Sequence, residues 1–389
     1  MTRSFHILPA ALLAVSLLSS CKKDKEEQTQ TPAATVTAKE VVTNYSNIVY
    51  ASYSDALTKS KELRLSAAAF ISAPSQAGLD GVKNAYLAAR EPYGQTDAYR
   101  FYDGPIDDAE GKEGLMNGWP LDEDYIDYVV GNSTSGIIND SVNYAQINKT
   151  VLEEANEVAG ETNISTGYHA IEFLLWGQDL SQTGAGNRPY TDYVAGSEVS
   201  AARRGKYLLA AIDLLIDDLT YTAEAWAPAK DNYRKTFEAQ DAQFSLKLIL
   251  TGIGKFAKGE LYGERMSVAY DTQSQEDEHS CFSDQTHRDF ILGQKGIDNV
   301  FFGTYTRTDG TKISGKGIYD LVNAKNAAVA KTAKDALADA AAKVAAIQPP
   351  FDREIITGRS RVFAAIQSGN EEATQIVEVA TALGIRLTL

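Results

Sequence analysis

Four histidines occur in the 389 residues, and three of them, His169, His279 and His287, fall inside two short segments that also carry carboxylates. The first segment reads Gly167-Tyr168-His169-Ala170-Ile171-Glu172. On a helix, residues three apart share a face, so His169 and Glu172 can aim an imidazole and a carboxylate at one point, as ligands of a metal or as an acid/base pair. A zinc peptidase of the inverted H-x-x-E-H kind would need a second histidine where Phe173 stands, so that signature is incomplete. A lone H-x-x-E pair also fits a hydrogen-bonded core histidine or a surface ion pair. The second segment runs from Gln275 to His287 and packs His279 and His287 among Glu276, Asp277, Glu278 and Asp284. Imidazole mixed with carboxylate suits iron, manganese or zinc better than calcium, which prefers oxygen throughout. The plain alternative is a solvated acidic end of a helix, with Ser283 or Asp284 as its cap. A third run, from Arg90, Glu91, Pro92 and Tyr93 through Asp97 and Arg100 to Asp107, frames acidic residues with arginines. Such a turn can bind an oxyanion, or it can hold Asp97 and Asp107 as ion-paired supports for a site, and structural pairing is the stronger reading.

The elements that must position these residues read mostly as helices. Leu208, Ala211, Ile212, Leu215 and Leu219 recur at helical spacing with Asp213 and Asp217 opposite, and Leu246, Ile249, Leu250, Ile253 and Ala257 repeat the pattern. Residues 323–347 are alanine-rich and stop at Pro349-Pro350. Helical patterns also cover 38–72, ended by Pro74, and 79–90, ended by Pro92. The pairing of 38–90 with 321–367 suggests a duplication. Residues 300–306 and the stretch beyond Asp309-Gly310 predict a small β-hairpin inserted in an all-α fold. The Gly- and Ser-rich stretch 177–199 breaks the periodicity and divides the chain into an expected N-terminal lobe, 38–198, and a C-terminal lobe, 199–389.

The N-terminus predicts the compartment. Arg3 precedes an apolar run over 7–18 that is long enough for a signal peptide and too short to span a bilayer. Leu18-Ser19-Ser20-Cys21 then has the form at which bacterial lipoproteins are cleaved and the thiol acylated, so 1–20 reads as a leader, Cys21 as the lipidated residue and 21–37 as a polar tether. The expected location is the cell envelope, with lysine after Cys21 favouring the outer membrane. No other stretch is apolar enough to span a membrane. The formal net charge of -15 argues against nucleic-acid binding. With Cys21 acylated, Cys281 is the only thiol left and no internal disulfide can form.

The runs G-Y-H-A-I-E-F-L-L-W-G, E-D-E-H-S-C-F-S-D-Q-T-H and R-E-P-Y-G-Q-T-D-A-Y-R-F with G-P-I-D, in that combination, resemble the imelysin family of iron-regulated envelope proteins. The resemblance covers residues 41 to 389 and implies an all-helical fold of two lobes, each like a four-helix bundle, with the motifs gathered near their interface. It implies His169 and Glu172 as the motif pair, Asp97, where relatives often carry glutamate, with Arg100 in the first-lobe motif, and Asp284 with His287 in the second. The expected metal ligands are therefore His169, Glu172, Asp97, Glu276, His279, Asp284 and His287, supported by Arg90, Tyr93, Arg100 and Asp107. For function the resemblance implies an iron-uptake protein that binds iron or another divalent metal, zinc included, and works with other uptake components. Two further readings stand beside it: a metallopeptidase with Glu172 as its catalytic residue, and a non-catalytic adhesion or scaffold module.

Overall fold

The computed structural model describes residues 36–181, 183–196 and 200–389. The leader, Cys21 and the tether up to residue 35 lie outside the described residues. The first long helix, α1 (Ala38–Ser72), begins where the sequence signals it: the Thr37 hydroxyl accepts from the Glu40 amide at 3.3 Å and the Glu40 carboxylate accepts from the Thr37 amide at 2.8 Å. At about 1.5 Å per residue it runs roughly 50 Å. Its buried stripe runs from Val41, Tyr45 and Ile48 through Leu63 to Phe70, and α1 packs against α2 (Gln76–Tyr93) along part of its length. Each such side chain contributes about 1.5–3 kcal/mol by leaving water. Pro92 does not stop α2; it sits in the last turn, and the helix ends at Tyr93.

The other helices used below are α3 (Gly167–Trp176), α4 (Ala201–Ala225), α5 (Ala242–Lys255), α6 (Thr286–Phe302), α7 (Ala327–Ala345), α8 (Phe351–Thr357) and α9 (Arg359–Ala382). The chain is mostly helical, as expected of an all-α fold, and its one sheet among the described residues is a hairpin of β1 (Thr304–Thr306) and β2 (Lys312–Ser314). The hairpin begins later than the sequence predicts, because Val300 and Phe301 are buried on the last turn of α6 rather than in a strand. The alanine-rich run is also interrupted: Asn326 ends one helix and caps α7, its side chain accepting from Val329. After α5 the chain passes without a break into π-helical winding over Phe256–Val268. No described helix is long and apolar enough to cross a membrane.

The polar stretch 177–199 does not part the helices on its two sides. α4 lies along α1 and α3, and a buried ion cluster ties the stretch to it. Asp127, fully buried, accepts from Arg204 of α4 at 2.6 and 3.0 Å and from Arg188 at 2.8 Å. Burying these charges is tolerable only because each has partners, and removing one partner strands the rest in a low dielectric. The variant Asp127→Ala should therefore lose about 3–5 kcal/mol of unfolding free energy, measurable by urea denaturation, whereas Asp213→Ala, on a partly exposed pair with Arg64, should lose under about 1 kcal/mol.

Candidate metal centre

Helix α3 is apolar all round, with every residue buried, so its two polar side chains are forced into the interior with it. Its start is set by glycine. Gly167 has a φ of 79°, and a Cβ there would stand 2.5 Å from the Met116 carbonyl oxygen, so only glycine lets α3 begin against the 115–116 backbone. One turn later His169 and Glu172 face the same way: His169 Nδ1 lies 3.2 Å from Glu172 Oε2. The other Glu172 oxygen accepts from the Ser283 amide at 3.0 Å and its hydroxyl at 2.5 Å, while Tyr86 reaches Oε2 at 3.4 Å.

The loop before α6 brings the second histidine. The rings of His169 and His279 meet edge to face, centroids 4.5 Å apart, with Trp119 closing on His279 at 5.7 Å. His279 Nδ1 is 2.8 Å from Asp289 Oδ2, and Ser280 donates to the same oxygen at 2.5 Å. Arg90, in the last turn of α2, donates to Asp289 Oδ1 at 2.9 Å and to Asn117 at 2.8 Å, with Tyr93 and Tyr168 lying under its guanidinium. Beyond it stands a second set of charges. Arg265 donates to Asp97 at 2.7 Å and to Glu260 at 2.9 Å, and Arg100 pairs with Glu113 at 3.1 Å. The π winding explains the Glu260–Arg265 pair: five residues apart in an α-helix they would point about 140° away from each other, but bonds to the fifth residue bring them onto one face.

The electrostatics follow from burial. Burial would raise the Asp289 carboxyl, yet Arg90 and the His279 and Ser280 donors hold it well below its ordinary value, so it is ionised. Burial, with Arg265 and His169 beside it, pushes His279 down to about 3, and burial with Arg90 holds His169 well below its usual range. Both rings are neutral at pH 7. A neutral His279 facing an ionised Asp289 must donate from Nδ1, which leaves the Nε2 lone pair free. Glu172 is raised to about 7 by burial, against the pull of Ser283 and Arg90; once ionised, it makes the same demand on His169. The His169 Nε2 is buried and has no hydrogen-bond partner, and neither has Asp97 Oδ1. Carboxylate-held imidazoles with a free Nε2 are the usual support of metal-bound histidine. The donors fit a borderline ion such as iron or zinc, although among the described residues no three His, Cys, Asp or Glu groups converge on one point as placed.

Of the residues singled out in the sequence, the structure gathers His169, Glu172, His279 and Arg90, with Tyr93 beneath, and sets Asp97 and Arg100 in the adjoining charge cluster. Asp97 pairs with Arg265 rather than Arg100. Asp107 serves the turn, accepting from the amides of Phe101 and Gly104. Glu276 is exposed in a short 3-10 turn, and Asp284 and His287 are half-buried, with no hydrogen bond or ring contact to His169 or His279. Neither Ser283 nor Asp284 caps α6, whose first residue follows Gln285 without a side-chain cap. Sequence reasoning missed Asp289, Arg265, Ser280, Ser283, Glu113 and Glu260 as participants. Asp289 had a signal, one turn into a helix that starts beside His287; Arg265 had none, because α-helical spacing does not place it with Glu260.

A folded chain that holds Glu172 at about 7 keeps a proton that the unfolded chain, near about 4.3, releases. That contribution to stability is complete below the lower value and is lost as pH rises through the upper one. Glu172→Gln keeps the neutral form at every pH. The wild type should lose on the order of 3 kcal/mol relative to this variant between about pH 4.5 and 8, read from urea midpoints; parallel curves would refute the assignment.

Comparison with known proteins gives the family and the fold. Residues 49–376 match the Imelysin family. The chain is 23% identical over 328 residues to iron-regulated protein A of Synechococcus elongatus, covering 81% of this chain and 77% of that one. Its fold is similar to the crystal structure of an iron-regulated protein A precursor from Parabacteroides distasonis, with a TM-score of 0.71 at 17% identity over 90% of this chain and 97% of that one. It is similar also to an imelysin-like protein from Psychrobacter arcticum, with a TM-score of 0.59 at 14% identity, covering 91% and 98% of the two chains. With most of its length matched by the family and its helical fold shared with these structures, the chain belongs to the imelysin family.

Proposed function

We propose that this protein is an envelope lipoprotein that binds iron or another divalent metal and serves iron uptake, with His169 and His279 as the nitrogen ligands. The observation that carries the reading is the pair of imidazoles, each with Nδ1 against a carboxylate, and the buried, unpartnered Nε2 of His169. Charge agrees. Glu172, Asp289, Asp97, Glu260 and Glu113 outnumber Arg90, Arg265 and Arg100, so the ionised cluster has two negative charges left over for a divalent cation. Asp97, with its free oxygen, is the carboxylate that can turn to complete the shell. The name of the Synechococcus relative, iron-regulated protein A, points the same way, and the Leu18 to Cys21 pattern supports the anchor.

A peptidase would use Glu172 as a general base on a metal-bound water in a cleft open to a polypeptide. Here Glu172 is 0% exposed and both its oxygens are already engaged, which favours a desolvated ion over a peptide as the cargo. The scaffold reading rests on the same buried charges, and stability measurements separate it from metal binding.

Protein purified without chelators or tag metals should carry close to one equivalent of iron or zinc by elemental analysis. Anaerobic titration calorimetry with Fe2+ should show affinity falling more than about 100-fold in His169→Ala, and about 10–100-fold in Glu172→Gln, which loses the charge behind the ring. Unchanged affinity in His169→Ala would sink the proposal. Affinity should also weaken as pH falls below about 7, where Glu172 takes up its proton.

A further inference from the structure

Where the chain leaves α3 and folds back over 177–189, it encloses a cavity of about 410 Å³, a volume typical of small-ligand sites. None of the metal-centre residues lines it. Gly186 closes one side: a Cβ there would stand 2.7 to 2.9 Å from the carbonyl oxygens of Trp176, Gly177 and Gln178, so glycine is what lets the returning chain lie against the end of α3. The wall that matters is Arg188, 4% exposed. One edge of its guanidinium is in use, with Nη1 donating to Asp127 at 2.8 Å and to Asp192 at 3.1 Å. The other edge is idle. Nε is buried without a hydrogen-bond partner, and Nη2 donates to no acceptor among the described residues. Together Nε and Nη2 form the planar fork that takes both oxygens of a carboxylate. A buried N–H left in this state carries a desolvation cost that an arriving acceptor removes. Room for that acceptor exists because residue 177 is glycine: a Cβ on Gly177, whose φ is 71°, would stand 3.6 Å from Nε, in the space beside the fork.

We propose that this cavity binds an organic carboxylate bearing an aromatic or branched apolar group, with its oxygens on Nε and Nη2 of Arg188. The rest of the lining fits the apolar part: Trp176 and Tyr128 offer rings, and Val130 and Leu180, at 74% and 68% exposure, give the cavity an apolar rim. Charge fits as well. Arg188 and Arg204 are balanced by Asp127 and Asp192, whereas Lys83, 5.0 Å over the Trp176 ring, is in no ion pair among the described residues. The acid on the lining, Asp179, already accepts from the Ser181 amide at 2.9 Å and from Gln275. An inorganic oxyanion could use the fork but would leave the rings and the rim bare, so affinity should grow with the apolar group. The inference stands apart from the metal reading.

Phenylacetate is the probe, titrated calorimetrically into the purified protein. It should bind saturably at a single site, with saturation reached by about 10 mM. Phenylacetamide, which keeps the shape and lacks the charge, and sulfate, which keeps a charge and lacks the ring, should each bind at least about tenfold more weakly. Arg188→Lys keeps the charge but loses the fork, and affinity should fall at least about tenfold. Because Arg188 also serves Asp127, Leu180→Glu is the independent test: on the exposed rim it should leave the melting temperature unchanged and lower phenylacetate affinity about threefold or more through like-charge repulsion. His169→Ala should leave phenylacetate binding as it is, so that failure here and failure of metal binding are read separately. N-acetylphenylalanine against a pentapeptide ending in free phenylalanine distinguishes the sources, since tighter binding of the peptide assigns the site to a polypeptide end and equal or weaker binding assigns it to a free acid. Absence of saturation, equal affinity for phenylacetamide or sulfate, or unchanged affinity in Leu180→Glu or in folded Arg188→Lys would each overturn the proposal.

Discussion

A carboxylate taken out of water must be surrounded by donors, and Asp289 gathers three donors from two parts of the chain: Arg90 from the end of α2, and His279 and Ser280 from the loop before its own helix. Each donor is itself committed. Arg90 must also satisfy Asn117 and rest on two tyrosine rings, so the last turn of α2 cannot shift without stranding a guanidinium. His279 must lie edge-on to His169, which ties the loop to α3. The breakable contacts here are few and strongly coupled, and the cost of losing any one is the desolvation of what remains. The helices around the centre therefore answer to one ionised group, and the apolar core of α1, α2 and α3 supplies the rigidity that keeps the arrangement in register.

Much of this was legible in the sequence. The helical pattern over 38–72, ended by Pro74, marks α1 from end to end. The three-residue spacing of His169 and Glu172 sets their shared face. What was not legible depends on distance along the chain or on unusual winding. Asp289 and Arg90 are far apart in sequence and meet only because the end of α2 lies near the start of α6. Val300 and Phe301 look like strand residues by type, but a core-facing helix accepts them equally well. His287 and Glu276 share a segment with His279, yet composition alone could not say which side chains the loop turns inward.

Family membership and chemistry rest on different observations. The likeness to the Parabacteroides and Psychrobacter structures, at 17% and 14% identity, speaks to the fold. The centre is read from side chains: which atoms are paired, which are ionised, and which are left over. Neutral imidazoles backed by carboxylates, with arginines pairing part of the buried charge, leave the Nε2 of His169 and one oxygen of Asp97 without a hydrogen-bond partner.

The π-helical stretch Phe256–Val268 carries a consequence for how such a centre can change over time. Its backbone bonds run to the fifth residue instead of the fourth, so residues five apart share a face here, whereas ordinary α winding would set them about 140° apart. A deletion elsewhere in the stretch that relaxed the winding across 260–265 would keep both residues yet turn Arg265 away from Glu260, at the cost of stranding buried charge. Descendants of this chain could lose the outer half of the charge cluster in one step while keeping every residue that forms it, and a residue-by-residue comparison would overlook the change.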